Sequence, residues 1–285
     1  MRIFDHYLSH YSMKKILLRT LVILGIFLLV LKGLEWVLEL SFQKRINSNP
    51  DRAYNLTYED FDLHTFFKGV TLDKLRIEPL NKKKGASIIT GDVEYANLTG
   101  LVWSDLLFGK TLKIDEITFV KPIFDITLRT DTVKKSSGSG IQGMFGDILS
   151  RVDLKSFEIQ NGSMVLREAN SEKTIGKINR LNVEANELQT DSLKFTNPIP
   201  FKLGSFKLEI DNIEYNLNDY TQLSLESIRY DLKKKYLSLK NLSMGYSIDW
   251  VDVSNKIGIQ NDVIEIDVKE ISIHDLEPSS RFYSH

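Results

Sequence analysis

Residues 16–31 read ILLRTLVILGIFLLVL, one apolar run near the N-terminus, and almost everything after it is strand-patterned. That pairing points to a membrane anchor followed by a long β-rich region. Only residues 20–31 are free of charge, short for a span on their own. Arg19 and Lys32 sit at the two ends, where long stems can carry charge to the interfaces. Leu34, Trp36, Val37, Leu38 and Leu40 continue the apolar character, so residues 16–38 reach the roughly 20 residues a bilayer requires. Trp36 suits the interfacial aromatic belt. The bulky, charged LKGLEWVLELSFQKR that follows holds no small-residue cleavage site, which favours a retained anchor over a cleaved signal or a peripheral helix. The expected organisation is a cytoplasmic tail (1–15), a transmembrane anchor (16–40) and a polar linker (41–53).

Basic residues fall on both sides of the span: Arg2, Lys14, Lys15 and Arg19 before it, Lys32, Lys44, Arg45 and Arg52 after it. The positive-inside count nearly ties, and size decides: a short charged tail stays inside while a large domain translocates largely regardless of charge. The expected topology is N-in, C-out. A net charge of −1 calls for no nucleic acid, and 42% hydrophobic residues are too many for disorder. With no cysteine there is neither a disulfide framework nor thiolate chemistry.

Strand-like runs follow in series: 54–63, 70–80, 86–101, 112–120 and 122–130, then 154–169, 175–188, 201–217, 221–232, 236–248 and 256–276. Their period of two predicts one apolar and one polar face. Strict alternation sets Leu72, Lys74 and Arg76 against Asp73, Leu75 and Ile77, and groups Phe124, Ile126 and Leu128 on one face. Turn residues, Pro122 among them, punctuate the runs, giving about 14 strands at about 4.8 Å spacing. WSDLLFGK (103–110) predicts a turn or a single helical turn at the sheet edge. VKKSSGSGIQGMFGDILSRV (133–152) holds a Ser/Gly linker and a short amphipathic segment with Met144, Phe145, Ile148, Leu149 and Val152 at helical spacing. It separates a first β module (54–132) from a second (153–285). GDVEYANLTGLVW (91–103) and IDVKEISIHDLEP (266–278) share a shape, and the second copy stops where the first continues, so the second module reads as incomplete with a free strand edge.

Three stretches resemble the AsmA-like family of envelope proteins, including its TamB-type members. YNLTYEDFDLHTFFKGVTLDKLRI (54–77) follows the family's early strands, and LVWSDLLFGKTLKIDEITFVKPIFDITL (101–128) its strand, LL turn and Pro-ended strand. VDLKSFEIQNGSMVLRE (152–168) is similar to its strand, Asn-Gly turn, strand hairpin. The resemblance implies a mainly β fold, a long curved antiparallel meander sheet forming a β-groove after a transmembrane helix, with a short helical segment near 143–152. It also implies a bacterial inner-membrane protein with its C-terminal domain in the periplasm.

Motifs for chemistry are weak. GSGIQG (138–143) matches G-x-G-x-x-G but sits in a Ser/Lys-rich linker without alternating β and α units. The five histidines have no metal-ligand spacing, and the acidic residues alternate with apolar ones as on a solvated face. Basic clusters at 81–85 and 232–240 read as solvated turns. No enzyme, cofactor or metal is expected. The expected function is binding or transfer of phospholipid, in outer-membrane homeostasis; the alternative is a non-catalytic envelope scaffold that docks a protein partner through its sheet. Expected partners are phospholipid acyl chains, the inner membrane, and an envelope protein or a second copy at the C-terminal strand edge. The expected lipid-contacting residues are Leu72, Ile114, Phe124, Ile126, Leu128, Leu208 and Ile210, against the competing reading that they close a core.

Overall fold

The computed structural model describes residues 3–48, 52–64, 69–80, 88–108, 112–128, 152–168, 173–188, 203–249, 252 and 265–276. The chain divides into two compact units, residues 1–45 and 46–285.

The first unit is the helix α1 (Ile3–Ile46), which overruns the expected anchor at both ends. No proline interrupts residues 3–46, and the first stop signals are Asn47 and Pro50. Its segment Leu17–Ile46 is long and apolar enough to cross a membrane. At about 1.5 Å per residue it extends about 45 Å, against a hydrocarbon core of about 30 Å. Leu17, Ile23, Phe27 and Leu29 stand exposed on different sides of it. A helix that is apolar all round needs lipid or protein around it.

The second unit is one open, mostly antiparallel sheet of eleven strands. These are β1 (Tyr54–Thr57), β2 (Asp60–Leu63), β3 (Gly69–Pro79), β4 (Ile88–Thr99), β5 (Leu112–Leu128), β6 (Val152–Glu168), β7 (Thr174–Asn186), β8 (Ser205–Asn216), β9 (Thr221–Asp231), β10 (Tyr236–Tyr246) and β11 (Ile266–Ile273). From β3 onward each strand neighbours the next in sequence. β1 and β2 both pair β3 in one register, Tyr54 opposite Pro79 and Asp60 opposite Asp73, so 54–63 acts as a single strand broken at Tyr58 and Glu59. The expected helical turn is present as α2 (Trp103–Phe108), with Leu106 buried. The helix expected near 143–152 and the GSGIQG motif lie outside the described residues, apart from Val152, which opens β6.

Two expectations change. The sheet is not antiparallel throughout, because β5 and β6 run parallel from Leu112 opposite Val152 to Leu128 opposite Glu168. Parallel neighbours need a crossover of a dozen residues or more, and residues 129–151 provide that length. Some strands are also longer than expected. Pro122 and Asn161-Gly162, read from sequence as turns, lie inside the 17-residue strands β5 and β6. Pro122 lacks an N–H, and the β5–β6 ladder skips its position.

The strands do not alternate strictly. Leu72, Leu75 and Ile77 are all buried while Lys74 and Arg76 are exposed, so the faces assigned to β3 by simple alternation were wrong. The cause is an extra residue in the strand, one in each of β3 and β8 to β10 and two in each of the 17-residue strands β5 and β6. Apolar positions step by two, then three, then two: Val70, Leu72, Leu75, Ile77 on β3; Leu208, Ile210, Ile213, Tyr215 on β8; Leu223, Leu225, Ile228, Tyr230 on β9; Leu237, Leu239, Leu242, Met244 on β10. In each step of three, two adjacent residues turn to the polar face, and one of the pair often has positive φ: Lys74 (49°), Lys121 (49°), Asn161 (53°), Asn212 (55°) and Asn241 (51°).

These positions line up. The register sets Glu59 opposite Lys74, Lys74 opposite Glu94, and Glu94 opposite Lys121; farther along, Asn212, Glu226, Asn241 and Lys269 are mutually opposite. The ladders skip these rungs, and the row steps sideways between β6 and β7, where the register shifts. Each strand from β3 to β11 thus carries at least one extra residue on its polar side.

Candidate functional site

Residues opposite one another in a ladder share a face, so the register traces the apolar surface from strand to strand. One line runs Leu72, Ala96, Phe119, Ile159, Val183, Leu208, Tyr230, Leu237 and Ile273. A second runs Leu181, Ile210, Ile228, Leu239 and Ile271. A third runs Ile89, Ile126, Leu166, Gly176 and Tyr215. The face therefore crosses β3 to β11 with an apolar or glycine residue at each of these positions.

All seven residues expected to contact lipid lie on this face. Leu72 and Leu208 belong to the first line and Ile210 to the second; Phe124 and Ile126 pair with Met164 and Leu166; Ile114 pairs with Leu154. Leu128 continues the phase of Ile126 at the end of β5, opposite Glu168. Their surroundings differ. Leu72 (1% exposed), Ile114, Phe124 (0%) and Ile126 are buried, whereas Leu128, Leu208 and Ile210 are half-buried. Close packing accompanies the first group. Gly91 faces Phe124, and a Cβ there would stand 3.1 Å from the ring's Cδ1, so the missing side chain makes room for the aromatic.

Burial falls off along the sheet. The apolar residues of β3 to β6 are nearly all buried; those of β8 to β10 are mostly half-buried; on β11, Ile266 (41%), Ile271 (37%) and Ile273 (40%) are exposed. This open end was not picked out from sequence. Its signal is the same two-three-two spacing in IDVKEISI, which strict alternation reads as out of phase.

The opposite face is held by cross-strand ion pairs. Lys74 meets Glu59 at 2.6 Å, Arg76 meets Asp92 at 3.0 Å, and Lys121 meets Glu94 at 2.9 Å. These three pairs form the charged walls of a hollow of about 720 Å³ on the polar face. Farther along, Asp211 lies between Arg180 and Arg229, with its side chain only 11% exposed. Burial alone would raise the Asp211 pKa, but hydrogen bonds and charge from the two arginines outweigh it and hold it below the ordinary 3.8. Lys207 holds Glu184 below its usual value in the same way, helped by Asn186 and opposed by desolvation.

Among the described residues no three His, Asp or Glu side chains come together as a metal site. The basic cluster at 232–240 includes the turn between β9 and β10 and the start of β10; the one at 81–85 lies outside the described residues. No family model matches the chain, and no curated protein matches it.

Proposed function

We propose that this chain is a single-pass, inner-membrane protein whose sheet stands in the periplasm as a β-groove, binding phospholipid acyl chains along its apolar face for transfer within a bacterial envelope. It has no catalytic role in this reading. The resemblance to AsmA-like proteins supports it, and one observation carries it: the apolar face is continuous across nine strands, closed over β3 to β6 and open toward β11. A sheet that needed only a sealed core would bury Ile266, Ile271 and Ile273 as well, because leaving such side chains in water forgoes about 1.5–3 kcal/mol each at full burial. Acyl chains are apolar enough to lie on such a face and small enough to follow it across strands.

The compact unit 46–285, purified from cells without detergent and extracted for mass spectrometry, tests this. The reading expects phospholipid near stoichiometric amounts, displaced by added fatty acid. Protein that is lipid-free as isolated and takes up none from vesicles contradicts it. A second reading, an envelope scaffold docking a protein through the sheet, draws on the exposed edge strand β11; it expects a stoichiometric protein crosslink to lipid-free material.

A further inference from the structure

Among the described residues β11 is the last strand of the sheet, and seven of its eight positions are exposed. Edge strands of this kind template further pairing unless they are blunted by bulges, prolines or charged side chains, lysine above all, so the charges of β11 must be matched by whatever pairs with it. The sequence of β11, IDVKEISI, contains no proline, and read backwards it keeps its pattern of apolar and polar positions, with lysine and glutamate exchanged. Set antiparallel to a second β11 with Lys269 opposite Glu270, it places Val268 opposite Ile271, Asp267 opposite Ser272 and Ile266 opposite Ile273. All eight residues are then paired. Every apolar residue faces an apolar residue on the same side, and each lysine faces a glutamate.

This register also obeys the rule that organises the rest of the sheet. Between β10 and β11 the kink pair Lys240–Asn241 lies opposite the kink pair Glu270–Lys269, and the two-three-two apolar spacing of one strand meets that of the other. The self-paired register again sets kink pair against kink pair, Lys269–Glu270 opposite Glu270–Lys269, with Lys269 facing Glu270 in place of another residue of the row. The other edge offers no comparable run: β1 and β2 have four residues each and break at Tyr58–Glu59.

We propose that two copies of this chain pair through β11 in antiparallel, two-fold symmetric fashion, joining their sheets into one with the apolar faces on the same side. A two-fold contact is isologous, so it closes at a dimer and leaves no further β11 edge. It depends on the self-complementarity of Ile266–Ile273 and not on what the apolar face binds; its failure would leave the lipid reading standing.

Charge reversal tests the register directly, using the full-length chain in detergent and native mass spectrometry. Lys269→Glu sets two glutamate pairs against each other in a homodimer, and Glu270→Lys sets two lysine pairs. Each variant alone is expected to weaken dimerisation at least tenfold. Mixed together, the two variants restore both opposite-charge contacts, so differently tagged chains should form a heterodimer of about wild-type affinity. The chain has no native cysteine. Val268→Cys/Ile271→Cys should therefore yield a disulfide-linked dimer on oxidation in membranes, and Ile266→Cys/Val268→Cys should not. A monomeric wild-type chain, open-ended oligomers, or a dimer unaffected by the single reversals overturns the proposal. Thermal unfolding of each variant separates loss of pairing from loss of fold.

Discussion

Lys121, held at φ 49°, meets the Glu94 carboxylate at 2.9 Å where the β4–β5 ladder skips a rung. The ion pair is exposed, so solvent screens it and it contributes little to stability. What the position does is mark the row of kinks where each strand turns two successive residues outward, and so returns its next apolar side chain to the inner face.

The row makes a prediction opposite to ordinary strand preference. Asn212 sits on β8 at φ 55°. Valine normally suits strands, but left-handed backbone costs a residue with a Cβ about 1–2 kcal/mol, and a branched one most. Asn212→Gly should leave the stability of unit 46–285 unchanged or slightly higher, while Asn212→Val should lower it by about 1–2 kcal/mol in urea unfolding. Valine outperforming glycine would show that the kink is not a constraint.

The burial gradient predicts a gradient of mutational cost. Leu72→Ala and Phe124→Ala empty fully packed positions and should each cost about 2–5 kcal/mol. Ile273→Ala, at a side chain already 40% exposed, should cost below about 1 kcal/mol. Equal losses at the two ends, measured by denaturant unfolding, would mean the face is closed along its whole length.

Asp211 predicts a pH signature. Its folded pKa lies below the ordinary 3.8, so the stability it contributes is present above that value and is lost as pH falls through the folded pKa. Asp211→Asn removes the carboxylate from between Arg180 and Arg229 and should cost about 1–3 kcal/mol at pH 7. The gap between wild type and variant should stay constant above the ordinary carboxylate range and narrow as pH falls below 3.8 toward the lower folded pKa. A gap with no pH dependence across the acid range would assign the loss to packing instead of charge.

Much of this fold was legible in the residues. The apolar run gave a single long helix, the period of two gave the sheet, and WSDLLF gave the helical turn. The facing of β3 was not legible by strict alternation, because the kinks fall on lysine, asparagine or glutamate rather than on glycine. Asparagine at positive φ is common enough to have served as the signal, as in the steps of three around Asn161, Asn212 and Asn241. Pro122 misled for a related reason: it follows the kink at Lys121, is skipped in the β5–β6 ladder, and yet stays in register with Val93 in the β4–β5 ladder, so the strand runs through it. The candidate face was legible in type and only partly in position. Leu208 and Ile210 were found because they lie within one uninterrupted half of β8. Ile271 and Ile273 were missed because they follow the kink at Lys269–Glu270.

The central claim is that lipid lies on one face of the sheet at its open end. Photo-crosslinking side chains placed singly at Leu208, at Ile271 and at Ser272, the last two adjacent residues on opposite faces of β11, test it in growing cells with the full-length chain. The account predicts phospholipid adducts at Ile271 and at Leu208, on the same apolar face, and none at Ser272. Adducts at all three positions, or at Ser272 alone, or at none, would contradict it.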